Sequence, residues 1–190
     1  MKFLGRDIAV KKNGLTDKEC SQLISLFSQK NDAITLKNKD SGAYTTNSQY
    51  ESIKLFLDES PVFSSFVVNK LNQILNEYCA GLDLKPETFG DFYESPSLMR
   101  FRTGKDRFDV HFDASGYDHY RSLAFIWYLN DVSEGGELFL PSSEQSISIK
   151  PEMGNIAVVP AGWTHYHNVE TPISNDRYSL ITFLRYSEIT

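Results

Sequence analysis

Ser122-Leu123-Ala124-Phe125-Ile126-Trp127-Tyr128-Leu129 reads as a short, largely apolar strand, and it has company on both sides. Upstream lie Ser97–Thr103 and Arg107–Phe112. Downstream follow Glu137–Leu140, Ser146–Ile149, Asn155–Val159, His165–Glu170 and Tyr178–Tyr186. Each is the length of a strand and is bounded by turn-forming residues. Gly104, Gly116, Gly135-Gly136, Pro141, Pro151, Gly154, Pro160 and Gly162 supply the punctuation. Eight short strands from about Phe89 onward predict two packed sheets, a double-stranded β-helix or jelly roll.

The first part of the chain has helical rather than strand periodicity. Thr16 and Glu19 are spaced as a capping box, with Leu15 set to staple onto Cys20, and Leu23, Ile24, Leu26 and Phe27 recur on one face. A second helix is expected from a Ser60 cap and Pro61 in the first turn. Its face comprises Phe63, Phe66, Val67, Lys70, Leu71, Ile74, Leu75 and Tyr78, and Gly81 is the expected stop. The polar stretch Asn38 to Gln49 between them is expected to be a loop. The fold class expected is therefore mainly β with N-terminal supporting helices. Residues 1–190 form one domain in this reading, 1–88 as helical support and first strands, 89–190 as the catalytic jelly-roll core.

Composition narrows the function classes. The 190 residues carry a net charge of −6, and 41% of them are hydrophobic. An acidic chain is a poor general partner for phosphate backbones, so no nucleic-acid partner is expected. No run approaches the ~20 apolar residues of a membrane span. The start Met1-Lys2-Phe3-Leu4-Gly5-Arg6-Asp7 lacks the apolar stretch of a signal peptide. Cys20 and Cys79 have no metal-binding spacing and read as buried thiols. The expected setting is soluble, reducing and cytoplasmic.

His111-Phe112-Asp113 carries the chemistry. Residues i and i+2 of a strand point the same way, so His111 and Asp113 can grip one ion. A third ligand must come from another strand, and His165-Tyr166-His167 offers one 56 residues beyond His111. Two histidines and a carboxylate on one face of a metal form the ligand set of non-haem Fe(II) oxygenases. An ordinary strand ending in a solvated aspartate reads the same way. His165 and His167 share a face in a regular strand, so periodicity does not choose between them. Such an iron leaves three positions, two for a chelating 2-oxo acid and one for O₂. The far carboxylate of the acid would need a cation, best met by arginine. Arg177 enters the last apolar strand. It is either that cation or a solvated strand-end residue.

Arg121 to Val132, which includes Tyr128-Leu129-Asn130-Asp131, then Gly135-Gly136-Glu137-Leu138 and Pro141, resembles the middle of prolyl 4-hydroxylase-type 2-oxoglutarate/Fe(II) dioxygenases. His167-Asn168-Val169 followed by Pro172 and Arg177-Tyr178 extends the resemblance, which runs from about Leu98 to Tyr186. It implies that His111, Asp113 and His167 are the iron ligands. It implies that Arg177 and Tyr128 bind the distal carboxylate of 2-oxoglutarate, and that Arg121 lies near the substrate proline. Fe(II), 2-oxoglutarate and O₂ are the implied cofactor and co-substrates, with ascorbate as reductant. Arg100-Phe101 and Phe108 depart from the pattern, since tyrosine is common at the positions of Phe101 and Phe108.

The function expected is hydroxylation of a prolyl residue in a protein or peptide, with release of succinate and CO₂. Tyr44, Tyr50, Tyr93, Tyr117 and Tyr120 either offer an aromatic groove for an extended peptide or are scattered packing residues. The alternatives are a hydroxylase of a small molecule such as a free amino acid, and a non-catalytic cupin-like sensing module. Phe125, Trp127, Phe139 and Phe183 are candidates to line the interior. The loop Ala114–Tyr120, which contains His119, and the stretch Asn38–Gln49 are candidates to close over it.

Overall fold

The capping box at the start of the first helix forms as written. The Thr16 amide donates to Glu19 Oε2 at 2.8 Å, and the Glu19 amide donates to Thr16 Oγ1 at 3.3 Å, which satisfies two otherwise orphaned groups. This is observed in a computed structural model of the chain that describes residues 1–29, 34–37, 49–55 and 61–187. Helix α1 spans Asp17–Gln29 and α2 spans Pro61–Leu82. The proposed Ser60 cap, Tyr44 and residues 38–48 lie outside the described residues.

Gly81 does not stop α2. The helix runs to Leu82, and Asp83 takes the left-handed conformation at φ 56°, with the Leu84 amide bonded to the Cys79 carbonyl at 3.0 Å. Gly81 instead makes room, since a Cβ there would fall 2.3 Å from Phe3 Cε2. Phe3 stacks on Tyr78 at 5.7 Å between ring centroids.

The strands are β1 Lys2–Gly5, β2 Ile8–Lys11, β3 Ile34–Lys37, β4 Gln49–Lys54, β5 Phe92–Tyr93, β6 Ser97–Phe101 and β7 Phe108–His111. There follow β8 Arg121–Tyr128, β9 Leu138–Leu140, β10 Ile147–Ile149, β11 Ile156–Pro160, β12 His167–Val169 and β13 Arg177–Arg185. The larger sheet has the order β1-β2-β11-β8-β13-β6-β4-β3, with β5 paired to the far end of β13. The smaller sheet has the order β10-β9-β12-β7. All named pairings are antiparallel. All eight strands expected from the sequence are present. The hairpin β1–β2 was not anticipated, and its strands join the larger sheet through β11.

Alternation along β8 and β13 divides the core in two. Leu123, Phe125, Trp127 and Leu129 face α1 and α2, together with Leu98, Leu180 and Leu184. Ile126 and Tyr128 face the smaller sheet with Met99, Phe101, Leu138, Leu140 and Val169. Period-2 alternation forces this split. Phe125 and Trp127 therefore pack against helices and do not line the space between the sheets. Among the described residues, no helix is long and apolar enough to cross a membrane.

Candidate metal and co-substrate site

The smaller sheet brings one histidine opposite another. His167 of β12 is the register partner of His111 of β7, and their ring centroids are 4.4 Å apart. Asp113 follows just beyond the end of β7. Its Oδ1 lies 3.6 Å from His111 Nε2 and its Oδ2 lies 3.8 Å from His167 Nε2. One ligand atom from each of the three residues falls within 4.8 Å of the others.

Protonation suits metal binding. His111 Nδ1 faces the Asp109 carbonyl at 2.8 Å, and His167 Nδ1 faces the His165 carbonyl at 2.9 Å. A carbonyl only accepts, so both Nδ1 atoms carry the hydrogen and both Nε2 lone pairs point to the shared space. Burial holds the His167 imidazole below its ordinary value, which favours the neutral ligand form. Burial also opposes ionisation of Asp113, but His167 and His111 when protonated, together with Arg121, outweigh it and keep the carboxyl below its usual range. Asp113 Oδ2 is buried with no hydrogen-bond partner among the described residues. These donors fit a divalent cation such as Fe(II).

His165 is not part of this cluster. Residues Trp163–His165 form a 3-10 turn, which breaks the strand period that would have aligned the two histidines. Its Nε2 donates to the Arg6 carbonyl at 2.7 Å, and its Nδ1 accepts from Thr164 Oγ1 at 2.9 Å. The side chain is thus a strut between this turn and the N-terminal hairpin.

The larger sheet supplies the opposite wall. A cavity of about 310 Å³ lies between the sheets, reaching His111, Asp113 and His167 on one side and Arg177, Ser179, Ile181 and Phe183 of β13 on the other. Arg177 is only 1% exposed. Its guanidinium carbon sits 5.0 Å from the Phe101 ring centre and 5.3 Å from that of Tyr128. Burial pushes Arg177 below its ordinary value, offset in part by Tyr128 and Glu137. Arg177 Nε and Nη1 and Tyr128 Oη are buried without a hydrogen-bond partner among the described residues. Burial raises the Tyr128 hydroxyl to about 12, so it remains a donor at neutral pH. A buried cation and a buried hydroxyl with unused donors fit an anion.

Arg121 also lines the cavity, but its charge is met. Nε and Nη2 donate to the two carboxylate oxygens of Glu94 at 2.8 and 2.7 Å, and Nη1 lies 3.1 Å from Asp118. The guanidinium carbon rests 3.8 Å from the Phe183 ring centre. Glu94 was not anticipated, and no local spacing connects it to Arg121. Phe101 and Phe108 both line the cavity and flank Tyr50, at 5.4 and 5.0 Å between ring centroids. A tyrosine hydroxyl therefore reaches this wall from β4. Burial, aided by the Asp113 charge, pushes it up to about 12. Tyr93 and Tyr117 do not join this wall. Tyr93 bonds Asn72 of α2 at 3.0 Å and packs on Phe125, while Tyr117 is 99% exposed. His119 lies in an exposed turn, its Nδ1 2.9 Å from the Gly116 carbonyl.

The chain is similar to known proteins over most of its length. Residues 97–185 match the model of the 2OG-Fe(II) oxygenase superfamily. The chain is 26% identical over 135 residues to prolyl 4-hydroxylase 13 of Arabidopsis thaliana, an alignment covering 68% of this chain and 45% of that protein. It thus spans under half the length of that curated relative. A Pseudomonas putida prolyl-4-hydroxylase superposes with a TM-score of 0.72 at 12% identity, covering 96% of this chain and 94% of the other. A viral collagen prolyl hydroxylase from Paramecium bursaria Chlorella virus-1, in complex with 2OG, gives 0.67 at 17% identity and covers 97% and 98%. A Trichoplax adhaerens prolyl hydroxylase bound to a peptide fragment of hypoxia inducible factor gives 0.70 at 15% identity and covers 94% and 83%. At these identities the structural matches establish the shared jelly-roll fold.

Proposed function

We propose that residues 97–185, which match the model of the 2OG-Fe(II) oxygenase superfamily, form a prolyl 4-hydroxylase-like domain, and that the chain hydroxylates a prolyl residue in a protein or peptide. The carrying observation is one cavity with two ends. His111, Asp113 and His167 converge at one, and Arg177 lines the other, with the buried Tyr128 ring 5.3 Å from its guanidinium carbon. His111, Asp113 and His167 would hold Fe(II), and Arg177 and Tyr128 would bind the distal carboxylate of 2-oxoglutarate. Bound iron supplies the O₂ activation that couples decarboxylation of 2-oxoglutarate to oxidation of the substrate. One oxygen atom of O₂ enters the substrate as hydroxyl and the other enters succinate, with CO₂ released.

The protein's own contribution is orientation and exclusion of water. Phe101, Phe108, Ile181 and Phe183 wall the cavity with apolar surface. Arg121, at the substrate end, is already neutralised by Glu94 and Asp118. It therefore suits a neutral peptide carbonyl better than the carboxylate of a free amino acid. The peptide-bound Trichoplax relative supports a protein or peptide substrate. A reducing, cytoplasmic setting with ascorbate as reductant completes the reading, and the free thiols of Cys20 and Cys79 are compatible with it.

The test is succinate formation from 2-oxoglutarate with Fe(II) and ascorbate, with and without a proline-rich peptide. Peptide-stimulated turnover and a gain of one oxygen mass on proline are expected. Turnover without peptide stimulation would redirect the proposal to another substrate. No turnover by iron-loaded protein would overturn it.

A further inference from the structure

At its tip, Arg177 meets the Phe101 and Tyr128 side chains, and its Nε and Nη1 have no hydrogen-bond partner among the described residues. The root of the side chain is different. Asn130 Nδ2 donates to the Asp176 carbonyl at 2.8 Å, and Asn130 Oδ1 accepts from the Tyr178 amide at 2.7 Å. One side-chain amide thus grips the main chain on both sides of Arg177. Nδ2 also donates to the Asp131 carbonyl at 3.0 Å, which ties the grip to its own loop.

The clamp stands where the sheet gives out. The β8–β13 register begins at Ser179↔Tyr128, and Arg177 has a strand partner only on the β6 side, Phe101. On the other side the Asn130 side chain takes the place of a strand. A side-chain amide donates from its nitrogen and accepts at its oxygen, so it holds a carbonyl and an amide at once. The guanidinium lies at the end of a long stem, so a small rotation at its root displaces it by about 1 Å, which can cost on the order of 100-fold.

We propose that Asn130 is a positioning residue that aims Arg177 at the distal carboxylate of the co-substrate, an inference that rests on the role given to Arg177 above. Tyr128 ends β8, and Asn130 follows two residues later in the loop. The Tyr-Leu-Asn triplet then supplies both the hydroxyl donor and the anchor of the guanidinium.

The experiment is a calorimetric titration of Mn(II)-loaded protein with 2-oxoglutarate and, separately, with 2-oxobutanoate, which lacks the distal carboxylate. The proteins are wild type, Asn130→Ala, Arg177→Ala and the double variant, with Mn(II) affinity and thermal unfolding measured alongside. Asn130→Ala is expected to raise Kd for 2-oxoglutarate by about 10-fold or more. It should leave Kd for 2-oxobutanoate and for Mn(II) unchanged and add nothing to Arg177→Ala. Wild-type binding of 2-oxoglutarate by Asn130→Ala would overturn the inference. So would equal losses for both acids, or full additivity with Arg177→Ala. If Arg177→Ala itself binds 2-oxoglutarate normally, the Arg177 assignment fails first. If only Asn130→Ala does, that assignment stands and this inference falls. Asn130→Asp keeps the acceptor for Tyr178 and loses the donor to Asp176. It is expected to show the same selective loss, and it decides the matter should the alanine variant not fold.

Discussion

His167 is held by the main chain of His165, not by its ring. The Nδ1 hydrogen of His167 points to the His165 carbonyl at 2.9 Å, while the His165 imidazole turns away to the Arg6 carbonyl. The two histidines that the sequence presents as equals thus differ in what a mutation removes. His165→Ala keeps the carbonyl and loses only the strut to the N-terminal hairpin. It is expected to bind Fe(II) as wild type does and to lose about 0.5–1.5 kcal/mol of stability. His167→Ala is expected to lose metal binding. Metal titration of the two variants decides the assignment, and loss of binding in His165→Ala alone would reverse it.

Asp113 is the acidic member of the metal cluster, and its Oδ2 is buried without a hydrogen-bond partner among the described residues. Asp113→Ala removes both a ligand and the charge that balances a divalent cation. The loss of metal affinity should exceed the ~10–100-fold typical of removing an outer partner of a ligand. Succinate formation should fall to the level of free iron in buffer. An Asp113→Ala protein with full turnover would remove Asp113 from the site.

How much of this was legible in the sequence follows from the range of each signal. The eight strands from Ser97 onward were readable because turn residues bound short apolar runs. The β1–β2 hairpin was not, because its two-residue turn is Arg6-Asp7, both at positive φ (51° and 58°), where Asn-Gly would be the usual sign. That turn is held from afar, by Tyr78 Oη donating to the Asp7 carbonyl at 2.7 Å and by His165. Alternation told that Phe125 and Ile126 point opposite ways, but not which face the helices would cover. His111 and Asp113 were legible because i and i+2 is a local relation. The choice of His167 depended on a 3-10 turn that strand periodicity does not foresee. Glu94 and Arg121 lie 27 residues apart and meet only through tertiary structure.

Arg177 makes no ion pair with any described carboxylate, so its removal leaves no protein anion stranded. Arg177→Ala should therefore fold and bind metal, and the deficit should appear in the co-substrate. Hydrogen bonds to a charged group contribute about 1.5–3 kcal/mol, equivalent to a KM for 2-oxoglutarate raised about 10- to 100-fold. Arg177→Lys should restore this only in part, since an ammonium cannot present the planar fork that matches a carboxylate. Steady-state kinetics with varied 2-oxoglutarate separates the two. An unchanged KM in Arg177→Ala would take Arg177 out of the site.

The paired glycines beside Arg177 give a stability test that needs no ligand. Gly135 sits at φ 74°, and a Cβ there would lie 2.3 Å from the Thr171 carbonyl oxygen and 2.9 Å from the Ile173 nitrogen. Both are backbone atoms, so no rotamer change relieves the collision. Gly104 provides the control, at φ 65° with nothing within 4 Å of its Cβ position. Gly104→Ala carries only the conformational strain, about 1 kcal/mol, or roughly 2–4 °C in Tm for a chain of this size. Gly135→Ala adds the collision and should cost about 2–3 kcal/mol, roughly 4–12 °C. Because Gly136, next in the chain, leaves only 3.4 Å between its Cβ position and Arg177 Cδ, displacement of this loop should also weaken 2-oxoglutarate binding. Thermal unfolding of the two variants side by side measures the difference. Equal shifts would mean that the loop yields, and that backbone crowding at Gly135 does not constrain it.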